Sequence, residues 1–268
     1  MTLHEILSFV NFVANKEQSG LTMSPEQYNT LLIGFNTQVF AIELETLEVQ
    51  AKAQQLPLYR LLYGASSLRP FRKNDTMTTN GSGIAALPSD YVHYTHFSSL
   101  YNGMYRDIDV ISDEEMSNRR TSLMETPLEI KPACTLYGNS AQFYPKDVGR
   151  TPQGDVEITY IASPATPNYD YCLSEYTGKI YYMPPGYYIR RMAPTQYSLY
   201  DDTNTLVVAS IYHRNGSTIP VFGTLNSTTV ELEWDNRFHP LFITMLLNAV
   251  GVSLKDEQIR SYLNQAKQ

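Results

Sequence analysis

The run Thr229-Val230-Glu231-Leu232-Glu233-Trp234-Asp235 lies where strand patterning gives way to helix patterning. Its apolar and acidic residues alternate with a period of two, which is typical of a half-buried strand. Shortly after it, His239-Pro240 opens an apolar run with helical spacing, which Gly251 closes. The sequence therefore predicts a strand that places Val230, Leu232 and Trp234 on one side, followed by a C-terminal helix.

Strand patterning also fills the middle of the chain, upstream of this run. Sixteen of the 21 tyrosines lie between Tyr91 and Tyr200, and tyrosine favours strands and half-wet interfaces. The first two predicted strands, 83–87 and 91–94, flank a turn at Pro88-Ser89-Asp90. The further predicted strands are 128–136, 141–144, 156–162, 179–183, 187–191, 206–212 and 218–223.

The two ends of the chain show helical spacing instead. Thr2 with Glu5, and Ser24 with Gln27, form capping boxes that predict helix starts. The predicted apolar faces are Leu3, Ile6, Leu7, Val10 and Val13 in the first helix, Tyr28, Leu31, Leu32, Phe35, Val39 and Ile42 in the second, and Leu241, Phe242, Met245, Leu246 and Val250 in the helix after His239-Pro240. We expect the second helix to run to about residue 55, a short helix at 59–64, and a last amphipathic helix after Ser253.

This order of patterns predicts an α+β fold. The N- and C-terminal helices are expected to pack together as a helical body beside a β-rich, Tyr-rich middle domain. The predicted boundaries assign residues 1–65 plus 236–268 to the helical body and residues 66–235 to the β-rich domain.

Composition narrows the functional classes. The 268 residues carry a net charge of −7, which argues against a protein whose main role is to grip nucleic-acid phosphates. Charged residues make up only 18%, against roughly 25% in an average domain, which leaves more uncharged surface for subunit contacts. No apolar run approaches the roughly 18 residues that span a bilayer, and the first residues lack a signal-peptide pattern. We expect a soluble protein that is made in the cytoplasm and has no membrane partner.

Residues with catalytic or metal-binding chemistry are sparse. Cys134 and Cys172 are too few for a disulfide scaffold or a four-cysteine zinc site; two reduced thiols are favoured, and a single bridge stays open. His93 and His96 form a His-x-x-His pair, but a strand turns their rings to opposite faces. No nucleophile or phosphate-loop motif is present. We therefore expect no enzymatic activity, no metal and no cofactor.

Two charged patterns have both a functional and a structural interpretation. Glu231, Glu233 and Asp235 share one face of the predicted strand, which suits acid–base chemistry, the acidic rim of a channel or a solvated surface. The doublets Arg119-Arg120 and Arg190-Arg191 suit stacking on bases, a subunit contact or an ordinary surface. Because no wider basic patch accompanies the doublets, the interpretations without nucleic acid are favoured.

Six phrases of the sequence follow one another along nearly the whole chain. They are Glu5-Ile6-Leu7 with Asn15-Lys16-Glu17-Gln18-Ser19-Gly20, Ser24-Pro25-Glu26-Gln27-Tyr28, Leu68-Arg69-Pro70-Phe71, Leu87-Pro88-Ser89-Asp90-Tyr91, Ile158-Thr159-Tyr160-Ile161 with Pro164 and Pro167, and Glu231-Leu232-Glu233-Trp234 leading to His239-Pro240. In these phrases and their order the chain resembles the head-to-tail connector proteins of short-tailed phages. The likeness is closest to virion structural proteins of crAss-like phages.

The resemblance implies an oligomerising body of terminal helices from which a β-domain projects. It implies a non-enzymatic structural subunit in the virion, at the portal vertex, that forms a ring of twelve copies docked below the portal protein. The ring would contact the next tail ring or hub, and double-stranded DNA would pass through it during packaging and ejection. The Tyr-rich β-region is longer than in the simplest connector proteins of this kind. The resemblance therefore leaves open which layer of the connector or tail the ring occupies.

Candidate contact residues accompany this implied ring. The predicted portal interface is Ile259, Tyr262 and Leu263, for which packing within the chain is the alternative. The predicted interface with the next ring is Tyr169, Tyr171, Tyr181, Tyr182, Tyr187 and Tyr188. The predicted lumen-facing acids are Glu231, Glu233 and Asp235, past which DNA would slide without sticking.

Two other functional classes stay open. A Tyr-rich β-domain also suits a receptor- or carbohydrate-binding tail module, which would present an exposed aromatic platform on monomers or trimers. A tail-associated hydrolase would need convergent carboxylates or a nucleophile–base pair, and the sequence shows neither.

Overall fold

A computed structural model describes residues 1–17, 22–101, 103–122, 124–148, 156–174, 177–193, 196–214, 217–218 and 224–251. Helices occupy both ends of this part of the chain and strands fill its middle, which confirms the predicted α+β class. The helices are α1 (Leu3–Glu17), α2 (Pro25–Gln54), α3 (Leu58–Gly64), α4 (Asp113–Thr121) and α5 (His239–Ala249), with short 3-10 helices at Arg69–Phe71 and Asn236–Phe238.

The first eight strands are β1 (Arg72–Met77), β2 (Ile84–Ala86), β3 (Tyr91–Tyr101), β4 (Met104–Asp107), β5 (Asp109–Val110), β6 (Ala133–Tyr137), β7 (Ser140–Tyr144) and β8 (Val156–Ala162). Of these, β2, β7 and β8 lie at predicted positions, β3 continues past the predicted 91–94, and β6 takes up only the end of the predicted 128–136. The sequence did not predict β1, β4 and β5. The later strands are β9 (Tyr171–Ser174), β10 (Ile180–Tyr182), β11 (Tyr188–Ala193), β12 (Gln196–Tyr200), β13 (Leu206–Arg214), β14 (Ser217–Thr218) and β15 (Thr224–Asn226).

The chain forms two compact units. Unit 1 contains Met1–Ile42 and Pro164–Gln268, and unit 2 contains Glu43–Ser163. This division differs from the predicted one at 1–65 plus 236–268 and 66–235. The reason is that the strands from β9 onward pair among themselves and group with the terminal helices, instead of joining β1–β8.

Both predicted capping boxes form in unit 1. The Glu5 backbone N–H donates to Thr2 Oγ1 at 3.3 Å, and the Thr2 N–H donates to the Glu5 carboxylate at 2.8 Å. In the same way, the Gln27 N–H donates to Ser24 Oγ at 3.3 Å, and the Ser24 N–H donates to Gln27 Oε1 at 3.1 Å. Each box satisfies amide donors that a helix N-terminus leaves unpaired, so α1 and α2 begin where the sequence predicts.

The terminal helices pack together as predicted. α1 contacts α5, and the apolar face predicted for α1 is buried along its length. α5 buries Phe242 and Leu246 as predicted, but it also buries Ile243 and Leu247 and leaves the predicted Leu241 43% exposed. The predicted face is therefore only partly correct, because α5 is apolar on several sides, and such a helix offers no periodicity that selects the buried one.

The run at 229–235 is extended but does not form the predicted strand. Among the described residues it pairs only through an isolated antiparallel bridge between Val230 and Asn168, whose N–H groups donate to each other's carbonyls at 3.0 Å. Val230 is 37% exposed, whereas Trp234 is buried and packs on Phe238 and Phe242. The three predicted apolar positions therefore do not share one buried face.

Unit 1 contains one antiparallel sheet in the order β10-β9-β13-β12-β11-β15, with β14 paired to β13. One face of this sheet covers a small core. The residues of that core are Cys172, Met183, Ile189, Leu199, Val208 and Ile211, against which Tyr181, Tyr187, Tyr197 and Leu225 pack.

Unit 2 contains two four-stranded sheets, in the orders β1-β8-β3-β4 and β2-β7-β6-β5. β2 pairs with β7, and β3 pairs with β8 and β4, so the turn at Pro88 joins two sheets and does not close a hairpin. Gly83 precedes β2 with φ +77°, and a Cβ there would lie 2.9 Å from the Phe143 carbonyl oxygen, which only glycine tolerates. The two sheets enclose a core that includes Phe97, Phe143 and Ile158.

Two predicted elements fall partly or wholly outside the described residues. The helix expected after Ser253 lies outside them, as do residues 219–223 of the predicted strand 218–223. Within the described part of the chain, no helix combines the length and apolarity needed to cross a bilayer.

A buried hydrogen bond joins the extended run to α2. Trp234 Nε1 donates to Asn36 Oδ1 at 2.7 Å, and Asn36 Nδ2 donates to the Ala165 carbonyl at 3.0 Å. Trp234 and Asn36 are each 4% exposed. Because the bond is shielded from water, loss of its donor leaves the Asn36 oxygen desolvated and unbonded.

We predict that Trp234→Phe lowers the free energy of unfolding by about 1–3 kcal/mol, since the variant leaves a buried acceptor without a donor. Urea unfolding followed by far-ultraviolet circular dichroism measures the change, because Trp234 is the sole tryptophan. Asn36→Ala and the double variant complete a double-mutant cycle, and the coupling between the two sites should be about 1 kcal/mol. Additive effects would show that the bond contributes nothing.

Candidate interaction surfaces

The residues predicted at the portal interface, Ile259, Tyr262 and Leu263, lie outside the described part of the chain. Their role stays a prediction.

The six tyrosines predicted to contact a neighbouring ring differ in exposure. Tyr169 and Tyr171 are each 2% exposed: Tyr171 begins β9, which lies between β10 and β13, and Tyr169 precedes β9 and packs against Tyr28 and Tyr182. A buried ring offers no surface to a neighbour, so the predicted role is wrong for these two. The other four, Tyr181, Tyr182, Tyr187 and Tyr188, are half-buried and stay candidates.

The buried tyrosines belong to an aromatic cluster inside unit 1. The rings of His4, Tyr169 and Tyr182 are stacked: the Tyr169–Tyr182 centroids are 4.8 Å apart, and the His4–Tyr182 centroids are 5.2 Å apart. Tyr28 meets Tyr169 edge-on at 5.7 Å. The cluster joins α1, α2 and the sheet, so it stabilises the unit and does not form an exposed platform.

Every hydroxyl in this cluster has a partner. Tyr169 shares a 3.0 Å hydrogen bond with His4 Nδ1, and the Tyr28 hydroxyl donates to the Leu3 carbonyl at 3.0 Å. Tyr171 donates to the Glu26 carboxylate at 2.6 Å. Burial raises the pKa of Tyr28, Tyr169 and Tyr171, and the Glu26 carboxylate raises that of Tyr171 further. These hydroxyls therefore stay protonated at physiological pH.

Glu231 connects the aromatic cluster to the start of α1. Its Oε2 accepts from the Leu3 N–H at 2.7 Å, and its Oε1 accepts from the Tyr182 hydroxyl. Burial raises the pKa of Tyr182, and the bond to Glu231 raises it further. A carboxylate at a helix N-terminus also interacts favourably with the helix dipole. Glu231 thus acts as a second cap on α1, supplied from 228 residues away.

The two neighbouring acids also bind backbone amides. Glu233 Oε2 accepts from the Ala165 N–H at 2.9 Å, and Asp235 Oδ1 accepts from the Arg237 N–H at the start of the 3-10 helix Asn236–Phe238. The three acidic residues of this run therefore bind it to the start of α1, to Ala165 and to the 3-10 helix that precedes α5. Glu233 and Asp235 remain exposed, and the lumen-facing role of the three acids stays a prediction.

His239 is a buried titratable group at the first turn of α5. It is 4% exposed, and its Nδ1 has no hydrogen-bond partner among the described residues. Burial lowers the pKa of His239 from its usual 6.5, and the positive N-terminal amine lowers it further, against the opposing effect of Asp235 and Glu231. The folded protein therefore holds this imidazole neutral.

The remaining candidate groups have local structural partners. His96 Nε2 lies 3.6 Å from Asp107, and His93 Nδ1 lies 2.6 Å from the Tyr94 carbonyl oxygen. Arg119 bonds Asp109 at 3.1 Å and Glu115 at 2.7 Å. Both cysteines are buried, and burial raises the pKa of the Cys134 thiol to about 12. Within the described residues, no three histidine, cysteine or acidic side chains gather as a metal site.

A polar pocket of about 300 Å³ lies beside α4 in unit 2. The Arg120 guanidinium lies over the Tyr144 ring, 5.2 Å from its centroid, and the Tyr137 hydroxyl donates to the Asp113 carboxylate. Tyr137 is 44% exposed. The pocket is lined by Asp113, Met116, Ser117, Arg120, Thr121, Tyr137 and Tyr144.

The segment after α4 exposes large apolar side chains in an ordered turn. Met124 is 97% exposed, Leu128 61% and Ile130 62%. The Leu128 N–H donates to the Lys131 carbonyl at 3.3 Å, and the Lys131 N–H donates to the Leu128 carbonyl at 2.9 Å. This turn fixes the backbone that carries the exposed side chains. We call residues 124–131 the apolar loop.

An open groove of about 410 Å³ lies at the end of α2, also in unit 2. Ala51, Leu56 and Leu58 supply its apolar lining, and Glu48, Lys52 and Gln55 complete it. The cations Lys52 and Arg60 are exposed in this part of the chain, and Glu48 is half-buried. We call it the α2–α3 groove.

No family model matches the chain, and no curated protein matches it. What the chain does is therefore inferred from its residues and their geometry.

Neither the apolar loop nor the α2–α3 groove is predictable from periodicity. The pattern at Leu128 and Ile130 predicted a strand over 128–136, and only the part from Ala133 onward is in β6. The apolar residues that precede Ala133 are therefore left outside the sheet.

We predict that Glu231→Gln lowers the free energy of unfolding by about 1–2 kcal/mol, because it removes a charge-assisted cap from α1 and a charged acceptor from Tyr182. Hydrogen exchange of the first-turn amides of α1 should become faster. Glu233→Gln is the matched control, since this exposed side chain caps no long helix and should cost less than about 0.5 kcal/mol. Equal effects of the two variants would contradict the assigned role of Glu231.

We predict that the protein loses stability as the pH falls below about 6.5. The unfolded chain protonates His239 near that pH, whereas the folded protein resists protonation, so the unfolded state binds more protons. The part of the free energy of unfolding that depends on neutral His239 is fully present above pH 6.5. It decreases as the pH falls towards the lowered pKa of His239 in the folded state. Urea titrations of wild type and His239→Gln between pH 7.5 and about pH 5 measure it.

The wild type should lose more stability than His239→Gln over that pH range. A His239→Gln variant with the same pH dependence as the wild type would refute the role assigned to His239.

Proposed function

We propose that the chain is a structural subunit of a phage head-to-tail connector ring, which docks below the portal, contacts the next tail ring or hub and forms part of the DNA conduit. The observation that carries the proposal is the set of large apolar side chains that unit 2 exposes on hydrogen-bonded segments. They are Tyr63 (64%), Met104 (55%), Tyr105 (61%), Met124 (97%), Leu128 (61%) and Ile130 (62%).

Exposed apolar residues that are scattered singly need no explanation, whereas neighbouring ones on an edge strand or within one short loop are candidates for an interaction surface. Met104 and Tyr105 lie on β4, an edge strand, and the apolar loop is held by its own turn. Such residues are costly in a protein that stays monomeric, because they favour aggregation. An assembled subunit covers them.

The helix packing and the hydrogen bonds within unit 1 also support the proposal. α1 and α5 pack together, Trp234 bonds Asn36 on α2, and Glu231 caps α1. A ring that transmits force between head and tail needs a body whose helices hold fixed positions. The helices of this body come from both ends of the chain, and in this order of segments the chain resembles connector proteins.

The charge of the chain is consistent with a conduit for DNA. The net charge is −7, and Glu233 and Asp235 are exposed carboxylates. DNA at high local density is repelled by such a surface and passes without adhering. Of the first arginine pair, Arg119 already binds two carboxylates, which neutralise its charge.

A second candidate function is a carbohydrate-binding tail module. The observation that favours it is the pocket beside α4, where Tyr137, Tyr144, Arg120 and Asp113 combine aromatic faces with polar groups. Protein sites for sugars use such combinations. The buried state of Tyr169 and Tyr171 weighs against the larger aromatic platform that this function would require.

The test is to mix the purified chain with the portal protein of its phage and to measure the mass of the complex. We expect a gain that corresponds to twelve copies of the 30.5 kDa chain, about 366 kDa, and a ring on one end of the portal in negative-stain images. A chain that stays separate from the portal and binds a glycan array, with loss of binding in Tyr137→Ala, would establish the second candidate instead.

A further inference from the structure

We propose that β4 of one subunit pairs antiparallel with β1 of the next copy, so that the sheet β1-β8-β3-β4 continues from subunit to subunit. The partner at each edge of the sheet is a second copy of this chain. This inference deepens the proposed ring and rests on it.

The first argument is the direction of the strands. β1 and β4 are the two edges of the sheet, and within the described part of the chain each of them pairs on one side only. All three pairings are antiparallel, so β1 and β3 run one way and β8 and β4 run the other. A next copy in the same orientation therefore brings its β1 antiparallel to β4. Two different edges of one subunit form a heterologous contact, which a closed ring needs.

The second argument is the pleat of the sheet, which limits the register of the contact. Residues directly opposite each other on neighbouring strands lie on the same face. Asp75 pairs with the buried Ile158, and Arg106 pairs with Ser99, which itself pairs with the buried Val156. Asp75 and Arg106 therefore both lie on the core face, at opposite edges of the sheet. A core face that continues into the next copy allows only registers that differ by two residues.

The third argument is charge, which selects one of these registers. In the selected register, Arg106 lies opposite Asp75 of the next copy and Met104 lies opposite Met77. A shift by two residues would put Arg106 opposite Lys73 in one direction and opposite Met77 in the other. Opposite charges directly across two strands stabilise the pairing, and like charges destabilise it.

The fourth argument is that the contact gives Arg106 an acceptor. The Arg106 Nε is buried and has no hydrogen-bond partner among the described residues. The Asp75 Oδ1 accepts from the Thr76 N–H at 2.8 Å, and a carboxylate has further acceptor sites for a guanidinium.

The same two charges discourage other pairings of these edges. Inward-pointing charges on an edge strand disfavour any partner strand that lacks the complementary charge. Pairing of β4 with β4 of another copy, with the core face kept continuous, would put Arg106 opposite Arg106 or Met104. The contact between β4 and β1 is therefore favoured over a symmetric one.

The test is disulfide cross-linking of the variant Tyr105→Cys/Thr76→Cys, alone at high concentration and in the portal-bound assembly. The proposed register puts these two residues directly opposite each other, where the Cα separation suits a disulfide. Both positions are exposed, and Cys134 and Cys172 are buried, so oxidation acts on the introduced thiols. We expect a ladder of covalent multimers on a non-reducing gel, because each subunit offers one thiol to each neighbour.

Two controls accompany the cross-link. Tyr105→Cys and Thr76→Cys as single variants should stay monomeric on the gel, because a heterologous contact does not bring identical residues together. Tyr105→Cys/Asn74→Cys moves one thiol two residues along the same face and should give a weaker ladder.

A charge exchange makes the test independent of the cysteines. Asp75→Arg should lower the yield of rings by about tenfold, since it places two cations opposite each other, and Arg106→Asp in the same chain should restore it. Asp107→Lys is the matched control, because this exposed carboxylate of β4 lies opposite the uncharged Asn74 in the proposed register. Circular dichroism verifies that each variant is folded.

The outcomes separate the two proposals. Rings that form on the portal without a ladder from Tyr105→Cys/Thr76→Cys would overturn the strand contact and leave the connector function standing. A ladder from the chain alone, with no binding to the portal, would support the contact and overturn the connector function. A covalent dimer from Tyr105→Cys alone would show that β4 pairs with itself and would overturn the contact. A wild-type chain that forms no ring would overturn both.

Discussion

The two hydrogen bonds of the Glu231 carboxylate fix how the start of α1 meets the sheet, and the packing of the terminal helices in unit 1 depends on this link. It accepts from the Leu3 amide and from the Tyr182 hydroxyl, so one side chain joins the start of α1 to the sheet. Three residues later Trp234 bonds Asn36 on α2 and packs on Phe242 of α5. The run 229–235 therefore holds the terminal helices to the strands through side chains, and its own backbone stays outside the sheet.

The same run shows where prediction from sequence succeeds and where it fails. Thr2 with Glu5 and Ser24 with Gln27 are local signals, so the starts of α1 and α2 are predictable to within a residue. In the run, acidic residues alternate with apolar ones because each acid accepts from a backbone amide, a distant one for Glu231 and Glu233 and a local one for Asp235. This alternation has the period of a strand, although the run is not part of a sheet. Periodicity indicates which side chains are buried or hydrogen-bonded. Whether the backbone pairs with another strand depends on tertiary contacts, which periodicity does not show.

The candidate surfaces were harder to predict for a related reason. Exposed Leu128 and Ile130 have the sequence pattern of strand residues, and a turn held by two backbone hydrogen bonds presents them to solvent instead. Tyr169 and Tyr171 show the converse, because tyrosine suits an interface and a core equally well, and their contacts with the aromatic rings of unit 1 bury both of them. The segment order does carry the α+β class, whereas the division into two units follows from strand pairing between distant residues.

Cryo-electron microscopy of the intact particle that carries this chain tests the central claim most directly, namely that the exposed apolar surfaces of unit 2 are covered by neighbours in a portal-bound ring. The account predicts a ring coaxial with the portal, with Met104 and Tyr105 buried between adjacent copies. Density at a peripheral fibre or tail tip, with these side chains still exposed to solvent, would contradict it.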